Sequence, residues 1–176
     1  MSLVETDWLE KNISNVKIID CSWHMPQTKR NGYNEYKIQH IPEAIFFDLD
    51  SNSKKNTNLP HMMVEIKNWE KIVSEMGIKE QDRIVVYDNS DVASACRCWF
   101  NFIYFGHNPK LVHVLNGGLK KWITEKRKVI TDLPKIQKSN YKCIEKKELI
   151  KKKDSIDKNI DNQEFKVVDA RSIERF

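Results

Sequence analysis

The first candidate for chemistry is a short polar loop between a buried strand and a helix, in the stretch IVVYDNSDVASACR at residues 84–97. Loops of this type leave several backbone N–H groups unpaired at a helix N-terminus, where the helix dipole adds positive potential. They therefore favour a bound anion such as phosphate, sulfate or thiosulfate. This loop nevertheless begins with a carboxylate, Asp88, where a reactive group is expected. A second carboxylate, Asp91, would also oppose an incoming anion.

The loop itself contains no cysteine. Cys96 and Cys98 fall within the apolar helix that follows, where cysteine usually packs as a small hydrophobic side chain. The four cysteines, which include Cys21 and Cys143, form no CxxC pair and have no histidine at zinc-finger spacing. We therefore expect reduced thiols, no metal or cofactor, and a structural role for Asp88 as acceptor of the loop's own N–H groups.

A parallel sheet is expected to position this loop. Short apolar runs rich in β-branched residues predict strands buried on both faces at Val16–Asp20, Arg83–Tyr87 and Lys110–Leu115, and Ala44–Phe47 is a shorter candidate. Helical patterns follow, with stops at Gly77 and Gly106, and another short helix is predicted at Leu119–Glu125. Alternating strands and helices indicate an α/β fold with a mainly parallel sheet flanked by helices. The loop then lies at the carboxyl end of a strand, where functional loops gather.

The C-terminal part of the sequence contains a partial repeat. Periodicity fades in residues 129–144, and EFKVVDARS at residues 164–172 then matches NVKIIDCSW at residues 15–23 in the order of its lysine, β-branched residues and aspartate. The alternative is a chance match, because valine and isoleucine dominate buried strands anyway. We predict a first domain at residues 1–128, a linker at 129–144 and an incomplete second copy at 145–176.

The composition restricts the classes of function. The chain has 176 residues, of which 40% are hydrophobic and 31% charged, and it has no apolar run of the roughly 18 residues that a membrane span needs. The N-terminus lacks a basic region followed by an apolar one, so a cytoplasmic location and no membrane partner are expected. The net charge of +5 comes largely from lysines at positions 146–153. Without interleaved aromatic residues these indicate a solvated helix face and no nucleic-acid partner.

Six stretches, in order, resemble the two-domain rhodanese-like sulfurtransferases, which include thiosulfate sulfurtransferase and 3-mercaptopyruvate sulfurtransferase. They are HIPEAIFFDLD (40–50), LPHMM (59–63), DRIVVYDNSD (82–91), RCWFNFIYFGH (97–107), VLNGGLKKW (114–122) and VVDARSIERF (167–176). The resemblance implies a rhodanese-like fold with a catalytically silent first domain and a nucleophilic cysteine in the second domain. It also implies that sulfane sulfur passes from a small anionic donor, thiosulfate or 3-mercaptopyruvate, through a cysteine persulfide to a thiol, cyanide or a thioredoxin-like acceptor.

The resemblance also assigns candidate site residues. Asp88 stands where the second domain would carry cysteine, and it cannot form a persulfide, so this chain alone is expected to be inactive. Asp50 and His61 match an auxiliary proton relay of the mercaptopyruvate enzymes, and the alternative is a local hydrogen bond at a domain interface. Arg175 matches a substrate-binding arginine, although Glu174 replaces the usual glycine before it, and the alternative is an exposed terminal arginine.

Two other classes of function are considered beside the enzyme. The first is a stand-alone inactive rhodanese-like module that presents its Asp88 loop to a protein partner or regulates one. The partial repeat speaks against it, because a self-contained module has no need of an unpaired strand. The second is a relative of the rhodanese-like phosphatases, which need a cysteine at the start of the loop, so Asp88 excludes that chemistry here. Two further departures from the family pattern, Glu43 and Asn116, lie in predicted turns.

Overall fold

The computed structural model of the chain describes residues 2–171 and residue 173. The chain forms two compact units, Met1–Lys146 and Lys147–Phe176. The strands of the first unit are β1 (Leu3–Val4), β2 (Lys17–Asp20), β3 (Ala44–Phe46), β4 (Ile84–Tyr87) and β5 (Val112–Leu115). Its α-helices are α1 (Thr6–Asn12), α2 (Gly32–Ile38), α3 (Ile66–Glu75), α4 (Ser94–Tyr104) and α5 (Gly118–Thr124). The second unit contains α6 (Lys153–Asn162).

The strands of the first unit form one parallel sheet in the order β1-β5-β4-β2-β3. Its central strands, β2 and β4, are buried on both faces because their β-branched side chains alternate between two helical layers. Ile19 and Val86 face the layer that contains α3 and α4, and Ile18 and Val85 face the layer that contains α1, α2 and α5. This arrangement confirms the predicted α/β fold with helices on both faces of a parallel sheet.

Helix α3 ends where the sequence predicts it. Its buried residues, Trp69 and Val73, lie four positions apart and face the sheet. Gly77 follows with φ of +65°, a conformation that favours glycine, and a Cβ atom there would lie 2.4 Å from the carbonyl oxygen of Gln137. Glycine at this position therefore both ends the helix and allows a later segment to cross it closely.

That later segment is the predicted linker, residues 129–144. Apart from one bridge between Ile130 and His40, it has no regular hydrogen-bonded structure, but it packs along the first unit. The Ser139 N–H donates to the Ser74 carbonyl oxygen at 2.9 Å, and Tyr141 is only 1% exposed. The division between the two units falls after Lys146, beyond the predicted linker, because the aromatic side chain of Tyr141 is part of the first core.

The second unit lacks the strand that the repeat predicts in its described part. The described part of residues 164–172 is not a strand, and Val168 is 85% exposed. The strand prediction is wrong here because a β-strand needs a neighbouring strand, and none is paired with this segment in the described part of the chain. Helix α6 begins at Lys153, within the residues predicted as the incomplete second copy, 145–176.

In the described part of the chain, residues 2–171 and 173, no helix combines the length and the apolar composition needed to cross a membrane. Nor does this part contain a group of three or more His, Cys, Asp or Glu side chains that could hold a metal ion.

Candidate functional site

The two central strands deliver the candidate residues to one edge of the sheet. Because β2 and β4 are parallel neighbours, Asp20 and Tyr87 end side by side. Residues 21–24 follow β2, and the Asp88 loop, residues 88–93, follows β4. The segments after both strands therefore meet at this edge, which is where ligands bind in open α/β sheets.

The Asp88 loop is closed by its own carboxylate. Asp88 Oδ2 accepts the Ala95 N–H at 2.6 Å, and Oδ1 accepts the Ser90 N–H at 3.2 Å. The N-cap of α4 is Ala93, which has no side-chain acceptor and lies at φ of +48°. Asp88 thus supplies the cap that Ala93 lacks. Its oxygens occupy N–H groups that a bound anion would need.

Neighbouring segments hold this loop from several sides. The Asn89 N–H donates to Ser22 Oγ at 2.9 Å, and the Ser90 hydroxyl donates to the Trp23 carbonyl oxygen. On the opposite side, the Leu119 N–H donates to the Asp88 carbonyl oxygen at 2.9 Å. The loop is therefore tied both to the segment after β2 and to the start of α5.

A half-buried ion cluster adds to this closure. Arg30 binds both carboxylate oxygens of Glu35, at 2.7 and 2.8 Å, and donates to the Asn89 carbonyl oxygen at 3.1 Å. His24 Nε2 lies 3.1 Å from Glu35. Burial opposes ionisation of Glu35, but the Arg30 hydrogen bonds and the nearby charges outweigh it and hold the pKa of Glu35 below its ordinary value. The fork of Arg30 thus anchors the loop backbone to α2.

The cysteines near the loop are not activated. Desolvation, and then the charge of Asp88, raises the pKa of the exposed Cys96 thiol. Cys98 and Cys21 are buried, and burial raises the pKa of Cys21 well above its ordinary value. Burial likewise raises the pKa of Cys143 to about 12. Persulfide chemistry needs a thiolate at neutral pH, and the environments of Cys21, Cys96 and Cys143 disfavour one.

Asp50 and His61 form a hydrogen-bonded pair at a second place on the same edge. His61 Nε2 lies 2.8 Å from Asp50 Oδ1, and the Trp23 indole N–H lies 3.0 Å from each Asp50 oxygen. The Trp23 and His61 rings meet edge to face with centroids 4.9 Å apart. The Asp50 side chain is 67% exposed and that of His61 25%. We call Trp23, Asp50 and His61 the relay corner.

Trp23 was not among the residues predicted from the sequence. The signal was present in CSW, which directly follows β2 and so places Trp23 at the carboxyl edge. Trp23 also joins the two places: its indole N–H holds Asp50, whereas its carbonyl oxygen accepts from Ser90 of the Asp88 loop. Of the other predicted residues, Arg175 lies outside the described residues. Glu43 stands at φ of +65°, at a position where the family pattern has glycine.

The comparisons agree with this architecture. The model of the rhodanese-like domain family matches residues 5–125, more than half of the chain. The chain belongs to the rhodanese-like domain family. A structure titled as a 3-mercaptopyruvate sulfotransferase, SseA from Escherichia coli, superposes with a TM-score of 0.91 at 28% identity, covering 99% of this chain and 67% of that one. The fold is therefore the rhodanese fold.

Curated relatives extend the same resemblance. "Thiosulfate/3-mercaptopyruvate sulfurtransferase 1, mitochondrial" of Arabidopsis thaliana is 44% identical over 122 residues, which cover 68% of this rhodanese-like chain and 32% of that protein. "Thiosulfate/3-mercaptopyruvate sulfurtransferase 2" of the same plant is 33% identical over 197 residues, covering 99% and 57%. "Thiosulfate sulfurtransferase" of Bos taurus is 30% identical, covering 99% and 61%. The chain thus spans between one third and three fifths of the length of these relatives.

Proposed function

We propose that this rhodanese-like chain forms the first part of a sulfurtransferase that uses thiosulfate or 3-mercaptopyruvate as sulfur donor. The observation that carries the proposal is the contrast at the sheet edge. The loop that would hold a nucleophile is filled by the Asp88 carboxylate, whereas the Asp50–His61 pair stands exposed beside it. The names of the relatives support the reaction class. The nucleophilic cysteine would then come from a second rhodanese-like domain, and the location would be cytoplasmic.

The proposed reaction has two steps. A cysteine thiolate attacks the sulfane sulfur of thiosulfate, the S–S bond breaks, and sulfite leaves with the bonding electrons. With 3-mercaptopyruvate the C–S bond breaks instead, and pyruvate leaves as an enolate that takes up a proton. The outer sulfur of the persulfide then passes to cyanide, a thiol or a thioredoxin-like acceptor, and the thiolate is regenerated.

The relay corner suits the proton transfer in this scheme. When the His61 Nε2–H donates to Asp50, the other ring nitrogen, Nδ1, keeps its lone pair, and it has no hydrogen-bond partner in the described part of the chain. A carboxylate that fixes the tautomer of an imidazole in this way prepares the imidazole to accept or deliver a proton. Arg175 would bind the carboxylate or sulfonate of the donor, as the resemblance implies.

The test is to assay the 176-residue chain itself. Thiocyanate formation from thiosulfate and cyanide, and pyruvate formation from 3-mercaptopyruvate, are each expected to stay at the level of the buffer. Mass spectrometry after incubation with either donor is expected to show no gain of one sulfur atom. The matched control is Cys96→Ser, because Cys96 is the exposed thiol beside the loop. Turnover by the chain that this substitution abolishes would overturn the proposal.

A further inference from the structure

The structure points to a positioning device in the first turn of α4: we propose that Arg97 fixes the backbone of His61, and thereby aims its imidazole at Asp50. Arg97 is then a positioning residue, since it acts through His61. The functional meaning of this inference rests on the proposed function. Its test measures the geometry of the pair in this chain and does not depend on turnover.

The first observation is the conformation of His61. Its φ of +53° lies in the left-handed region, which residues with a side chain rarely adopt and which persists only where the surroundings hold it. The His61 carbonyl oxygen accepts a hydrogen bond from Arg97 Nη2, and the same nitrogen lies 3.4 Å from Met63 Sδ. The guanidinium therefore holds the backbone on which the imidazole depends.

The second observation is the lack of an acidic partner for Arg97. Within residues 2–171 and 173, its guanidinium forms no ion pair, and its Nε is buried without a hydrogen-bond partner. Desolvation lowers the pKa of Arg97. A half-buried cation normally has a carboxylate partner, because the loss of hydration is otherwise not offset. The Arg97 guanidinium instead contacts the His61 carbonyl oxygen and Met63 Sδ.

The third observation is that the helical turn that contains Arg97 also holds Asp50, the partner of His61. Ser94, three residues before Arg97, accepts the Trp23 N–H at 3.1 Å and donates to the Cys21 carbonyl oxygen at 2.7 Å. Trp23 in turn holds Asp50 through its indole N–H. Residues three apart share one face of a helix, so one turn reaches both Asp50, through Trp23, and His61.

This arrangement assigns the Asp88 loop a structural role. Asp88 caps the first turn of α4 by accepting the N–H of Ala95, the residue that directly follows Ser94. The cap fixes the start of this helical turn. Ser94 and Arg97 belong to the turn, and their hydrogen bonds then set the position of the relay corner. The loop without a nucleophile would thus support the geometry of the residues that retain chemistry.

The experiment is NMR spectroscopy of the 176-residue chain and its Arg97→Met variant, in which the apolar stem is kept and the donor lost. At a pH where His61 is neutral, the wild-type ring nitrogens are expected to show one tautomer, protonated at Nε2. In the variant we expect shifts averaged toward a mixture of tautomers, with a moved Trp23 indole signal. The Trp122 indole N–H, which donates to the Lys128 carbonyl oxygen at 2.8 Å, reports whether the fold is kept and should not move.

Two further variants make the test decisive. Arg83→Met removes an equal charge from a residue that stacks over Trp8, and it should leave the His61 and Trp23 signals at their wild-type positions. Arg97→Lys returns a donor and should restore most of the wild-type tautomer signal. If Arg97→Met moves the Trp122 signal as well, Arg97→Lys decides. Unchanged His61 and Trp23 signals in a folded Arg97→Met chain, or equal changes in Arg83→Met, would overturn the inference, whereas a failed sulfur transfer would leave it standing.

Discussion

Two carboxylates at the same edge of the sheet are used in opposite ways. Asp88 is half-buried and accepts backbone N–H groups of its own loop and of α4. Asp50 is largely exposed and accepts from two side chains, Trp23 and His61. A carboxylate satisfied by the main chain is fixed with the fold and has little capacity for a ligand, whereas one paired with a titratable side chain can still take part in proton transfer. The difference separates a structural loop from a candidate relay.

The largest expected effect tests how tightly the Asp88 loop is held. Gly118 lies at φ of +54°, and a Cβ atom there would lie 2.5 Å from the Asp88 carbonyl oxygen. Gly118→Ala should therefore lower the free energy of unfolding by about 3 kcal/mol, from backbone strain and displacement of the loop. Urea denaturation measures it. Lys120→Ala, two residues later on the exposed face of α5, is the control and should change stability by less than about 0.5 kcal/mol.

The next largest effect concerns the carboxylate itself. Asp88→Ala removes the acceptor of the Ala95 N–H and should destabilise the chain by about 1–2 kcal/mol, as loss of a helix cap does. Asp91→Ala is the matched control, because the Asp91 side chain is 65% exposed and solvent screens its ion pairs with Lys120 and Arg30. Equal unfolding midpoints for the two variants would mean that Asp88 does not stabilise the fold. Asp88 and Asp50 would then no longer differ in the way described above.

The architecture could be predicted from the sequence because strand and helix patterns depend on residues that are close together in the chain. Four short apolar runs predicted β2 to β5 within two residues at each end, since strands buried on both faces have little choice of side chain. Strand β1 was missed because two residues carry no periodicity. The segment after residue 164 was predicted as a strand from the same local pattern, but pairing depends on a neighbouring strand that local pattern does not contain.

The site was less predictable, for a physical reason. Asp50 and His61 were proposed through the resemblance, and the structure brings them within 2.8 Å. The residues that hold them, Trp23, Ser94 and Arg97, were not identified, because their hydrogen bonds join positions far apart in the sequence, such as Arg97 and His61. Such contacts follow from the crossing of elements at the sheet edge, and no spacing in the sequence encodes them.

A buried histidine, His107, is expected to make the free energy of unfolding depend on pH. His107 is buried, and its ring nitrogens lie 3.0 Å from the Tyr141 hydroxyl and 2.9 Å from the Asp82 carbonyl oxygen. Burial lowers the pKa of His107 below its ordinary value of 6.5. The unfolded chain therefore binds this proton more readily than the folded chain. The contribution of His107 should be complete above pH 6.5 and lost as the pH falls below it.

Urea midpoints measured between pH 7.5 and pH 5 test this dependence. In His107→Gln, whose amide can replace both hydrogen bonds, the decrease of stability with acid should be smaller than in the wild-type chain. His61, whose side chain is 25% exposed, provides the control for a histidine-to-glutamine substitution outside the core. A pH profile of His107→Gln parallel to that of the wild-type chain would show that the buried histidine does not govern the acid response.

The smallest expected effect is at the relay corner and bears most directly on the comparison. A double-mutant cycle with Asp50→Asn and His61→Gln should give a coupling free energy below about 1 kcal/mol, because solvent screens an exposed pair. The reference cycle, Arg30→Met with Glu35→Gln, removes a better buried bidentate pair and should give a larger coupling. A coupling at Asp50–His61 equal to that of the reference pair would make the corner a structural clamp like the Asp88 loop. A small coupling would mean that folding gains little from this pair, as expected if its role lies in the proposed proton transfer.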